Sequence, residues 1–297
     1  MTALLEVSNL SVAFRDGKRR IAAVQDVGFT LAPGERLALM GESGSGKTTI
    51  AMAVAGLLPE GAIVSGSVTW PGIVGSAQAG RDIGVVFQDP MSSLNPVLTV
   101  GEQIAEVLLV HKGMDWPAAN REAVALLDRV GVPEPERRVR AFPHQLSGGQ
   151  RQRVGIAMAI AAEPRLLVAD EPTTALDTLT QKAIVALIDR LMHETGMALL
   201  LVTHDLALAY GLVDGGIILR DGGVVERGAI GTLLTAPAHA YTQGLLDASL
   251  DIDAPAPDPS FRQLESLPPG RPQGRSRWPD SSFEMDPGLR RGDGEVA

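Results

Sequence analysis

The chain has 297 residues, a formal charge of −9 at neutral pH, 45% hydrophobic residues and no cysteine. That length and apolar content allow two domains and a sizeable core, and the acidic balance provides no broad electrostatic footprint for DNA or RNA. Disulfides, iron–sulfur clusters and thiolate-held metals are excluded.

No apolar run is long enough to cross a bilayer: Val154–Ala162 stops at Glu163, and Leu199–Val202 stops at Thr203 and His204. The first ten residues, MTALLEVSNL, carry an early acid and no basic start, unlike a secretory signal. A soluble cytoplasmic protein is the expectation.

In chain order, Leu4–Val7, Ser11–Phe14, Ala22–Val24 and Gly28–Leu31 predict short strands separated by turn formers such as Arg15-Asp16-Gly17 and Ala32-Pro33-Gly34. They form an antiparallel β region feeding a buried strand, Arg36–Met40. GESGSGKT follows at Gly41–Thr48, then a helix-compatible segment over Thr49–Leu58. Strand, glycine-rich octapeptide and helix together make a phosphate-binding loop. The glycines let the backbone curl so that amides and the helix N-terminus point at phosphate oxygens, while Lys47 adds a positive charge. A nucleoside triphosphate is the implied ligand; the alternative is an ordinary glycine-rich turn.

Ser67–Trp70 and Asp82–Phe87 predict two more strands, the second ending at Gln88. Apolar residues then recur at helical spacing over Val100–Val110 and Ala118–Val130, with Gly131 and Pro133 as a stop. LSGGQ at Leu146–Gln150 opens a helical run to Ala162. Its serine, glycines and helix dipole make a second phosphate-facing surface. One nucleotide does not need two cradles, so the economical arrangement is a head-to-tail dimer in which this surface closes over the partner's nucleotide. A serine-capped helix without ligand is the alternative.

Leu166–Ala169 and Ala198–Val202 are short continuous apolar runs, as expected of strands buried on both faces of a parallel sheet, with a helix over Thr180–His193 between them. Asp170 and Glu171 follow the first run, where such a sheet presents its ligand. Asp170 and the Thr48 hydroxyl suit magnesium, and Glu171 can polarise a water attacking the γ-phosphate. An exposed strand-end acid is the alternative for Glu171. His204 follows the second run at the same edge and can orient Glu171 and bond the γ-phosphate. His111, His144, His193 and His239 lack such a setting. Over 251–297 the chain becomes dense in proline, glycine and charge, which predicts a disordered tail; Trp278, Phe283 and Met285 are scattered within it.

In this order the motifs closely resemble the ATP-binding subunit of ABC transporters, from about Leu4 to Leu250. GESGSGKT falls on Walker A, Gln88 on the Q-loop, LSGGQ on the signature, LLVAD at Leu166–Asp170 on Walker B, Ala175-Leu176-Asp177 on the D-loop and His204 on the switch histidine. The resemblance implies an α/β P-loop NTPase core with a mainly parallel sheet, an N-terminal antiparallel β subdomain and a helical subdomain over about 92–163. The whole would be one ATP-binding domain over 1–250.

It also implies roles. Glu171, His204 and Gln88 would serve catalysis. ATP would contact Gly41, Glu42, Ser43, Gly44, Ser45, Gly46, Lys47, Thr48 and Thr49, with Ser147, Gly148, Gly149, Gln150 and Asp177 supplied across the dimer. Phe14 would stack on adenine, although a packed strand phenylalanine is the alternative. Magnesium would sit among Thr48, Gln88 and Asp170.

QDPMSSLNP at Gln88–Pro96, FPHQLSGGQRQRV at Phe142–Val154 and HAYTQGLL at His239–Leu246 look like the importers of peptides, nickel chelates and related solutes, with Ala240 where that group usually has proline. Many dipeptide and oligopeptide members also carry a C-terminal cysteine cluster that this chain lacks. The implied partners are two transmembrane permease subunits, an identical or paralogous ATPase subunit and, indirectly, an extracytoplasmic solute-binding protein. The implied location is the cytoplasmic face of the membrane. A subunit of a soluble complex, as in phosphonate degradation, and an ABC ATPase acting on DNA or ribosomes are the competing classes; no nucleic acid is expected.

Overall fold

A computed structural model describes residues 2–17, 19–89, 93–174 and 176–250. The tail over 251–297, with Trp278, Phe283 and Met285, lies outside the described residues, as do residues 90–92 of the Gln88–Pro96 segment and residue 175 of the Ala175–Asp177 segment.

The N-terminal region is a three-stranded antiparallel sheet ordered β2-β1-β4, built from β1 (Leu5–Asp16), β2 (Arg19–Leu31) and β4 (Ile63–Thr69). Two long strands thus replace the four short ones that the sequence predicts. The breaks in periodicity are bulges: Asn9 and Asp26 sit at φ 51° and 53°, and the β1–β2 register shifts between Val7 and Leu10. Asn9 Nδ2 donates to Asp26 Oδ1 at 2.7 Å, and the Asp26 amide donates to Ser11 Oγ at 2.9 Å. Those cross-strand bonds let turn-forming residues sit inside a continuous ladder. β4 begins earlier than predicted because Gly66, at φ 85°, is a bulge facing Asn9 rather than a strand stop.

The second sheet has the order β5-β6-β7-β3-β8-β9. Its strands are β3 (Arg36–Met40), β5 (Ile83–Val86), β6 (Leu166–Asp170), β7 (Ala198–Thr203), β8 (Gly215–Arg220) and β9 (Gly223–Ala229). The first five in spatial order run parallel, and β9 returns antiparallel to β8. Every residue of β6 and β7 is buried. Their side chains alternate between two cores, as the pleat requires. Leu167, Ala169, Leu199 and Leu201 face one core, while Leu166, Val168, Leu200 and Val202 face the other.

The first core is covered by helices α2 (Val100–Lys112), α3 (Trp116–Arg129), α5 (Gly148–Ile160), α6 (Thr178–Thr195) and α7 (Leu206–Leu212). The short α4 spans Pro135–Arg138. The second core is covered by α1 (Lys47–Ala55) and the antiparallel sheet. Helices α2 to α5 fall between β5 and β6, two neighbouring parallel strands, so they form an insertion into the sheet's connectivity. Local signals fix their starts: Thr99 and Glu102 close a capping box on α2, and Asp115 caps α3. Helix α1 stops at Gly56, φ 70°, three residues before the predicted Leu58–Pro59 boundary.

The chain ends with α8 (Ile230–Thr235) and α9 (Ala240–Leu250). Because β5, β6, β7 and β3 are parallel neighbours, their C-terminal ends lie along one edge. Gln88, Asp170, His204 and the loop after Met40 all start from that edge.

Candidate active site

The loop after β3 is forced into its shape from two sides. Gly41 has φ 143°, and a Cβ there would lie 2.2 Å from the Leu219 carbonyl oxygen; Gly46 has φ 99°, and its Cβ would lie 2.4 Å from the Ala23 oxygen. No other residue fits either position. The β8–β9 turn braces the loop: the Gly222 amide donates to the Ser45 oxygen at 3.2 Å, and the Gln25 amide donates to the Gly222 oxygen at 2.8 Å. Ser43 and Gly44 are exposed, and Thr49 is half-buried in the first turn of α1. That helix has no side-chain cap and no acid in its first turn, so its free amides and positive dipole end are open to an anion.

Lys47 is only 5% exposed. Its ammonium donates to the carbonyl oxygens of Gly41 at 2.9 Å and Glu42 at 2.7 Å, with Ser45 Oγ at 3.4 Å. Burial holds its pKa below the usual lysine range, against the opposing pull of Glu171, Asp170 and Glu42. A buried cation beside backbone carbonyls gains a stronger partner when an anion arrives.

Asp170 ends β6 and is buried, with Thr48 Oγ1 donating to its Oδ1 at 3.2 Å. Burial pushes its carboxyl above the ordinary aspartate range; the Thr48 bond opposes this, Glu171 adds to it and Lys47 opposes it. Glu171 then turns out of the sheet at φ 44°, a left-handed conformation costing an L-residue about 1–2 kcal/mol. Its amide still donates to the Val202 oxygen at 2.9 Å, so the carboxylate is delivered just past the sheet edge. There Oε2 accepts from Gln88 Nε2 and from Thr174 Oγ1, each at 2.9 Å, and His204 Nδ1 lies 3.1 Å from Oε1. Gln88, Glu171 and His204, three of the residues singled out in the sequence, are therefore brought together. Thr174 was not predicted; the signal was a hydroxyl three residues after the acid, where the turn closed by Thr174 N to Glu171 O at 3.1 Å folds it back.

The second glycine segment lies on another surface. Ser147 caps α5, its Oγ accepting from the Gln150 amide at 3.3 Å, while Gln150 Oε1 accepts from the Ser147 amide at 3.2 Å. Ser147 and Gly148 are exposed. Gly149 lies so close to the start of α6 that a Cβ would be 2.6 Å from Thr180 Cγ2. Asp177 caps that helix, accepting from the Thr180 amide at 3.0 Å and from its hydroxyl at 2.7 Å. Among the described residues, no hydrogen bond or ion pair joins the Leu146–Gln150 segment to Gly41–Thr48. Phe14 is half-buried in β1 opposite Ile21, two residues along β2 from Ala23, whose carbonyl packs under Gly46.

The sequence matches the ABC transporter family over residues 24–174. A putative peptide import ATP-binding protein of Brucella abortus is 44% identical over 289 residues, covering 94% of this chain and 86% of the relative. The oligopeptide transport ATP-binding protein OppD of Salmonella typhimurium is 43% identical over 259 residues, covering 84% of this chain and 77% of its own. Among solved structures, a dimeric post-hydrolysis state of an ATP-binding cassette bound to ADP and Pi is similar at a TM-score of 0.66 and 31% identity, covering 76% of this chain and 98% of that one. Among the described residues, no helix is long and apolar enough to cross a membrane.

Proposed function

Because the chain belongs to the ABC transporter family, in which it is an ATP-binding and ATP-hydrolysing subunit, we propose that it energises peptide import through a membrane permease. The observation that carries the chemistry is the convergence of Lys47, Thr48, Asp170, Glu171, Gln88 and His204 at one sheet edge. The names of the Brucella and Salmonella relatives support peptides as the cargo class. Nothing observed favours a soluble, non-transport complex.

On this reading the triphosphate lies against the Gly41–Thr49 loop, taking the amides of the first turn of α1 and drawing the Lys47 ammonium away from the carbonyls of Gly41 and Glu42. The nearby hydroxyl of Thr48 and carboxylate of Asp170 are hard oxygen donors, which fits magnesium. Bound there, that ion would neutralise phosphate charge. Glu171 accepts a hydrogen bond from the attacking water and aims it in line with the γ-phosphate. Thr174, Gln88 and His204 hold the carboxylate in a single orientation, and His204 can reach the γ-phosphate. Phe14 serves as an adenine platform.

Ser147, Gly148, Gly149, Gln150 and Asp177 belong to the other half of a shared site, completed by a head-to-tail partner of identical or paralogous sequence. Closure of that dimer on ATP, and its release after hydrolysis, is the differential that drives the permease pair. The Asp89–Pro96 segment and the α2–α5 insertion, the helical subdomain, face those permease subunits, while Gln88 senses the γ-phosphate and magnesium. The chain thus works as a peripheral subunit at the cytoplasmic face of the membrane and meets a solute-binding protein only through the permease. Reconstitution with candidate peptide permeases tests the proposal: peptide-loaded binding protein should stimulate ATP hydrolysis several-fold. Stimulation by a different solute alone would overturn the peptide assignment.

A further inference from the structure

Helix α9 takes no part in the chemistry above, yet its first turn reaches the phosphate loop. Tyr241 Oη accepts a hydrogen bond from the Glu42 amide at 3.4 Å. The other end of the same peptide unit, the Gly41 carbonyl, accepts from Lys47 Nζ at 2.9 Å. In a trans peptide these two groups point in opposite directions. The Gly41–Glu42 peptide is therefore held from both faces, by Lys47 on the phosphate side and by Tyr241 on the outer side. Rotating it would break both bonds.

Tyr241 is itself anchored. The Arg220 guanidinium, at the end of β8, lies 4.8 Å from the Tyr241 ring centroid, and the ring packs partly buried against the first core. Glu226 on β9 accepts from the amides of Ala238 at 2.7 Å and His239 at 3.2 Å, and His239 Nδ1 accepts from the Tyr241 amide at 3.0 Å. The start of α9 is thus fixed to the same β8–β9 hairpin that braces Ser45.

We propose that Tyr241 is a positioning residue for ATP binding, a strut from the C-terminal helix that fixes the Gly41–Glu42 peptide so that Lys47 and the loop amides are preset for the triphosphate. The inference rests on the reading that Gly41–Thr48 holds ATP. Tyr241→Phe keeps the ring and its Arg220 contact and removes only the acceptor. Losing one such bond should raise the KM for ATP about three- to tenfold while kcat moves less than about twofold. Amide exchange at Glu42 in the nucleotide-free protein should accelerate, with the melting temperature nearly unchanged. Arg220→Met, which frees the ring but keeps the hydroxyl, should raise KM by a smaller factor.

Lys47→Ala is measured beside them. If it binds ATP with full affinity, the assignment of the loop itself fails. If it fails to bind while Tyr241→Phe and Arg220→Met retain wild-type KM and Glu42 exchange, the strut alone is overturned.

Discussion

Glu171→Gln separates binding from chemistry more cleanly than any other single change in this site. The amide is isosteric with the carboxylate, and its oxygen can still accept from Gln88 Nε2 and Thr174 Oγ1, both at 2.9 Å in the native protein. Its NH2 group then faces His204 Nδ1, 3.1 Å away, which accepts when the ring is neutral. The left-handed turn at φ 44° therefore keeps its supports. What is lost is a negative charge and a base. Losing the charge removes repulsion toward a polyanionic ligand, so ATP affinity should hold or improve. Losing a positioned base should lower kcat by about 10²–10⁴, equivalent to about 2.7–5.5 kcal/mol of barrier. Equilibrium ATP binding and phosphate release at saturating MgATP measure the two halves. Turnover within about tenfold of wild type, with binding intact, would remove Glu171 from its role. Glu171→Ala is a poorer probe because it also strands the Gln88 and Thr174 donors.

Gly46→Ala puts a methyl 2.4 Å from the Ala23 oxygen at φ 99°, whereas Gly44→Ala, at φ 81°, meets nothing within 4 Å. The first should cost well over the second's roughly 1–2 kcal/mol of backbone strain in chemical denaturation, and equal losses would contradict the bracing described. Head-to-tail pairing predicts that Lys47→Ala and Ser147→Arg subunits, each inactive alone, regain ATP hydrolysis when mixed, because one composite site per mixed dimer is intact. Persistent inactivity of verified mixed dimers would argue for sites built within one chain. The hydroxyl and amide of Thr180 hold the Asp177 carboxyl below its usual range. This folded pKa is depressed, so its stabilisation is complete above the unfolded aspartate pKa and is lost as pH falls through the folded value. Asp177→Asn should therefore flatten the acid limb of a melting-temperature profile, and an unaltered limb would count against the cap.

The parallel strands were legible because β6 and β7 are buried on both faces and so carry unbroken aliphatic runs. The grouping of Gln88, Glu171 and His204 was legible because each sits within two residues of a strand end. Partnerships made across the fold were not. Asn9, Asp26 and Gly66 are local turn formers, and only cross-strand bonds convert them into bulges. Strand β8 opens on Gly215-Gly216, a poor strand signal, yet it pairs with β3, and the missing Cβ of Gly216 leaves room for Met40 Cε, which a methyl there would have to displace from 2.3 Å. The Asp221-Gly222 pair, with φ of 50° and 82°, forms the two-residue turn of the β8–β9 hairpin. Tyr241 gave no sign of its reach to Glu42, since nothing local to a helix start specifies a contact across 199 positions.

The bracing of Ser45 by Gly222 also bears on how the protein is made. During synthesis the glycine loop emerges early, but β7, the neighbour on one side of β3, and β8, the neighbour on the other, are translated more than a hundred residues later. A nascent chain that ends after α6 has the lysine, the threonine and both acids but neither flanking strand. Nucleotide competence should therefore be acquired late, once the β8–β9 hairpin has left the ribosome, and ribosome-bound fragments stalled before Gly223 should not retain ATP.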